Sequence, residues 1–93
     1  MTSGDETVAE PVLRQVEELF EEMVKQQRAK VLGLARRLDP ALNAEDLLSP
    51  VDFPSIAADP RFNFEDGLLA GLTSAWTAVR ARIIIPRLGG GRP

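Results

Sequence analysis

Two groups of side chains in this sequence have types and spacing suited to chemistry. Gln27, Lys30 and Arg80 fall on or beside apolar helical stripes. An ammonium, a guanidinium and an amide gathered in one place would bind an anionic ligand, with charge from the first two and both a donor and an acceptor from the third. Asp46, Asp52, Asp59, Glu65 and Asp66 cluster in and just after a proline-rich stretch. Gathered together they would suit a hard cation, but they lack the alternating oxygen-ligand spacing and mid-loop glycine of a calcium loop. Asn43 with Asp46, and Asn63 with Asp66, read more simply as the starts of two helices.

The chain has no histidine, cysteine or tyrosine. It therefore lacks the commonest general base, the thiolate nucleophile and the usual imidazole and thiolate metal ligands. The expectation is a non-catalytic protein that needs no cofactor and no metal. The alternative is a small all-helical enzyme or ligand-binding protein that sets Gln27, Lys30 and Arg80 in a bundle core.

The elements that would position these groups are helices. Residues 11–38 carry Val12, Leu13, Val16, Leu19, Phe20, Met23, Val24, Val31, Leu34 and Leu38 at three- and four-residue steps, which is one face of a helix. Thr7 and Glu10 have capping-box spacing and Pro11 suits a first turn, so the start is expected between Thr7 and Pro11. Asp39 and Pro40 end the helix. Gln27 sits on the stripe by helical angle, where a polar residue can form a hydrogen-bonded layer and fix register. A second pattern, 64–85, carries Leu68, Leu69, Leu72, Ala75, Trp76, Val79 and Ile83, and Pro86 is expected to close it.

Between them, residues 39–63 hold several prolines but also Leu42, Leu47, Leu48, Val51, Phe53, Ile56 and Phe62, with Phe64 just beyond. So many large apolar groups argue for a packed connection with a short helix near Asp46. Asp59 and Pro60 read as a turn. The fold class expected is all-α, an antiparallel helical hairpin with a long ordered connection. Residues 1–9 and 86–93 are expected to be flexible ends, the latter around Gly89, Gly90 and Gly91, and 10–85 to form the hairpin domain.

Composition narrows the partners. With 93 residues, 44 % hydrophobic and 27 % charged, this is one small domain, and a net charge of −3 argues against nucleic acid. The start of the chain reads as no signal peptide, membrane association is not expected, and the location expected is cytoplasmic. Charge is unevenly placed: acids dominate through Glu22, while Lys25, Arg28, Lys30, Arg36 and Arg37 follow. This order suits the helix dipole, allows a Glu21–Lys25 pair, and lets the helix complement a second copy of itself laid antiparallel.

The second pattern shows no charge from Gly67 to Thr77, and Ala70, Gly71, Ser74, Ala78 and Ala81 form a face of small side chains beside its stripe. Small residues permit close approach of another helix. Together with Ile83, Ile84 and Ile85 they are the expected interaction surface. The functional expectation is a protein–protein interaction or scaffolding module, dimerising into a four-helix bundle; a third reading is an adaptor whose C-terminal tail docks on a larger assembly, against the simpler reading of that tail as a frayed end.

Overall fold

The computed structural model describes residues 3–87, with side chains from residue 10 onward, and among these the chain is all-helical. The first helix, α1 (Ser3–Leu38), has 36 residues, about 54 Å at 1.5 Å per residue. It starts ahead of the capping-box position and carries Pro11 inside it. Pro11 has no N–H for the Thr7 carbonyl, so one rung of the ladder is missing there. The Thr7 side chain of the expected capping box lies outside the described residues, as do residues 88–93 with the three glycines.

At its end, Asp39 N–H still donates to Ala35 O at 2.8 Å. Pro40 then prevents continuation, and Asp39 Oδ1 accepts from Ala41 N at 3.1 Å. Arg36 Nε donates to Leu42 O at 2.9 Å and ties the departing chain to the last turn of α1.

The connection is a series of tight turns punctuated by proline. Asn43 and Asp46 bond reciprocally, Asp46 N to Asn43 Oδ1 at 3.1 Å and Asn43 N to Asp46 Oδ2 at 2.9 Å. They introduce a single 3-10 turn, Asp46–Leu48. A second 3-10 turn, Pro50–Asp52, and a one-turn helix, α2 (Pro54–Ala57), follow. None of these lengthens, because Pro50 and Pro54 each remove a donor and fix φ at a new start. Leu42 and Ile56 are buried, Leu47 and Phe53 half-buried, and Leu48, Val51 and Phe64 are left exposed.

The second long helix, α3 (Pro60–Val79), starts four residues earlier than its apolar pattern suggests. Its N-cap is Asp59, whose Oδ1 accepts from Phe62 N at 2.8 Å, and Pro60 occupies the first helical position. Asn63 is not a cap: its Nδ2 donates to Ala57 O at 3.0 Å from inside the first turn. Aspartate at the cap followed by proline is the stronger start, since the proline's absent N–H is one that has no helical partner anyway. The helix continues through a π-helical segment, Arg80–Ile84, into a last turn, Ile85–Arg87. Pro86 is thus carried within the helical run. Ile85 N–H donates five residues back, to Arg80 O, and this wider turn relieves the crowding that a proline ring imposes on the carbonyl four residues before it.

The core has two parts. Val31 and Ala35 of α1, Leu42 and Ile56 of the connection and Phe62 of α3 form the first, with Leu47, Phe53 and Leu69 against it. Val24, Trp76 and Ile84 form the second, flanked by Leu13, Val16, Phe20, Leu72 and Val79. Contacts step down α1 as they step up α3, from Val31 near Phe62 to Val24 and Phe20 near Trp76. The molecule measures 56 × 22 × 19 Å, one helix long and two helices wide.

Candidate functional site

Gln27 points from α1 toward the first turns of α3. Its Nε2 donates to the Glu65 backbone oxygen at 2.9 Å and to Glu65 Oε1 at 2.8 Å. Lys30, one turn on, places Nζ 3.2 Å from Glu65 Oε2. Glu65 is the buried charged residue of the structure's described part, 9 % exposed. The Gln27 hydrogen bond holds its carboxyl below the ordinary carboxylate range; burial opposes this, while the Lys30 and Arg61 charges add to it. The polar layer therefore joins Gln27, Lys30 and Glu65: both amide hydrogens of Gln27 and both carboxylate oxygens of Glu65 are engaged, while the Lys30 side chain stays mostly exposed.

Arg80 is not part of this layer. It lies fifteen residues further along the helix than Glu65, about 22 Å at 1.5 Å per residue. Its guanidinium carbon stands 5.9 Å from the Trp76 ring centroid, within cation–π range. Trp76 is stacked on Phe20 with ring centroids 4.9 Å apart and planes 6° from parallel. Gln27, Lys30 and Arg80 thus occupy two places, and no ligand site containing all three is assembled. Glu65 completes the polar layer, and helical spacing marks it: three residues after Phe62 and four before Leu69, it is the charged residue on the apolar stripe of α3.

The other carboxylates are separated. Asp46 and Asp59 act at turn and helix starts. Among the described residues no three acidic side chains stand close enough to hold one ion.

Most of the small face predicted on the second helix is exposed: Ala70, Gly71, Ser74, Ala78, Ala81 and Ile83. A Cβ added at Gly67 or Gly71 would meet nothing within 4 Å. Ile84 is the exception, at 2 % exposure within the cluster of Val24 and Trp76. Three successive isoleucines point three ways round a helix, and this one faces α1; Ile85 is half-buried. Beside the small face, α1 and α3 leave an open trough of about 1300 Å³. Val24, Val31, Leu69 and Trp76 line it, with Ala70 and Ser74 on the α3 side and Leu47 and Leu48 from the connection.

By length and composition alone, the continuous helix Pro60–Arg87 is apolar enough to cross a membrane, with a mean hydropathy of 1.3 over its most apolar stretch. Its charge-free run, 67–79, covers about 20 Å, short of the roughly 30 Å of a bilayer's hydrocarbon.

Comparison with protein-family models, with curated proteins and with solved structures returned no match.

Proposed function

We propose that this chain is a non-catalytic protein–protein interaction module, an antiparallel helical hairpin that self-associates into a four-helix bundle and works through the apolar sides of its helices. The observation that carries this reading is the state of α3: in its most apolar eighteen-residue stretch, 11 % is buried. A water-facing helix ordinarily shows charge on its free side. Here the free side carries Ala70, Gly71, Ser74 and Ala78 instead. Exposed apolar surface of this extent marks contacts.

The Gln27–Lys30–Glu65 contacts support the same reading, because the Gln27 amide hydrogens and both Glu65 carboxylate oxygens already have partners within the chain. The cytoplasm is the setting proposed for it.

Sedimentation equilibrium tests the proposal. At micromolar concentration the expected mass is twice the 10.2 kDa of the chain. A monodisperse 10.2 kDa species that is fully helical and melts cooperatively would overturn it.

A further inference from the structure

We infer that a second copy seats on the trough side of the molecule, its α1 antiparallel to the first, with the register set by charge: Glu18 opposite Arg28 of the second copy, and Glu21 opposite its Lys25. This rests on the self-association proposed above and names its surface and register.

Helical angle defines the trough side of α1. Glu21, Lys25 and Arg28 line the trough beside Val24. At 100° per residue they turn from Val24 by about 60, 100 and 40°, and Glu10, Glu18 and Arg36 turn the same way by about 40, 120 and 120°. Leu19 and Met23 turn the other way, by about 140 and 100°. All six charged side chains on the trough side are exposed. Among the described residues the ion pair within the chain is Lys30–Glu65, so Glu21 and Lys25 do not close on each other although they are four residues apart. Acids occupy the first half of this side and cations dominate the second.

Two-fold symmetry converts that gradient into a register. About an axis perpendicular to the helices, a contact of one residue with another recurs with the roles exchanged. With the axis at the level of Met23, Glu10 faces Arg36, Glu18 faces Arg28 and Glu21 faces Lys25, each pair formed twice. Arg14 and Glu17 then face the uncharged Leu32 and Ala29. Moving the axis to Glu21 sets that acid on itself and Arg14 on Arg28; moving it to Lys25 sets that cation on itself and Arg14 on Arg36. A parallel pair sets every charge on its own copy. Opposed like charges are costly, so the antiparallel register centred on Met23 is selected.

The second long helix agrees with this register independently. Met23 lies midway between Phe20 and Gln27 in sequence, and their partners across the core are Trp76 and Glu65. The axis therefore crosses α3 near Ala70 and Gly71. There the trough is lined by Ala70, Thr73 and Ser74, and no charge occurs from Gly67 to Thr77. Small uncharged side chains at the axis let α3 approach the second copy's α3 while α1 meets α1. Val24, Leu69 and Trp76 along the trough then lose contact with water, which favours the pairing.

Charge exchange tests the register. The double variant Glu18→Lys, Glu21→Lys makes the centre of this α1 side basic, and Lys25→Glu, Arg28→Glu makes it acidic. Each alone is expected to dimerise about tenfold or more weakly than wild type with helicity retained, and the two mixed to form a heterodimer within about threefold of wild-type affinity. If both dimerise like wild type, or mixing restores nothing, the register is overturned. The chain has no native cysteine, so single cysteines decide the geometry should a charge-exchanged variant lose helicity. Glu18→Cys and Arg28→Cys are expected to cross-link to each other under mild oxidation and poorly to themselves; efficient self-cross-linking of either overturns the antiparallel arrangement. Leu19→Glu, on the other side of α1, is expected to leave dimerisation within about twofold. If it dissociates the dimer and the charge exchanges do not, self-association stands and this surface is wrong. A wild-type chain that stays monomeric, whether or not its trough takes up an apolar dye, defeats both.

Discussion

At the scale of single residues, Glu65 is the group whose environment makes a measurable difference. Its pKa is lowered, chiefly by the Gln27 amide and then by Lys30, against the opposing effect of burial. A group whose folded pKa lies below its unfolded value of about 4.3 stabilises the fold above that pH and loses the contribution as pH falls through the folded value. Glu65→Gln is therefore expected to flatten the acid limb of a stability-against-pH curve, measured by urea unfolding, and to change the curve's shape little above about pH 5. Gln27→Ala should move the Glu65 titration midpoint upward, read by carboxyl carbon NMR. The placement of Gln27 on its stripe was legible from helical spacing. Its partner Glu65 has stripe spacing too, but a glutamate near Asp66 and Asn63 reads first as part of a helix start, and that competing signal hides it.

At the scale of elements, the long apolar stripes made the helical class plain, while boundaries depended on which of several competing signals prevailed. Asn63 and Asp59 both have cap chemistry, and the aspartate followed by proline wins by four residues. Asp59→Ala should cost about 1 kcal/mol, within the usual range for cap loss. Phe62, with 0 % exposure, joins α3 to Val31, Leu42 and Ile56. Phe62→Ala should cost about 3–5 kcal/mol by chemical denaturation. Gly33 and Gly67 behave in the opposite sense: a methyl group at either meets nothing within 4 Å, so Gly33→Ala and Gly67→Ala should each stabilise by about 0.4–1 kcal/mol. The inward turn of Ile84 was not legible, since three identical side chains in a row carry no periodicity and a π-helical turn changes the angle between them.

At the scale of the whole molecule, the two core clusters are unequal. Near the connection, Leu42, Ile56 and Phe62 are 0–1 % exposed and three segments of chain converge. Toward the other end, among the described residues, only α1 and the end of α3 remain, held by Trp76 and Ile84. A two-helix structure closed at one end behaves like tweezers: the joined end stays shut, and the free ends part at a lower free energy than global unfolding. Amide exchange should accordingly be slowest near Val31 and Phe62 and faster around Leu13 and Ile84.

Val12, Leu19, Met23 and Ile83, all exposed, lie along this looser half, and the proposed self-association would set a second copy against that half. Pairing would then act as a clasp on the ends that one chain leaves free. Exchange rates at Leu13 and Ile84 should fall as protein concentration rises through the dimer dissociation constant, while those at Val31 and Phe62 change far less. Measured this way, the looser end of the helix pair becomes a gauge of how much of the protein is paired.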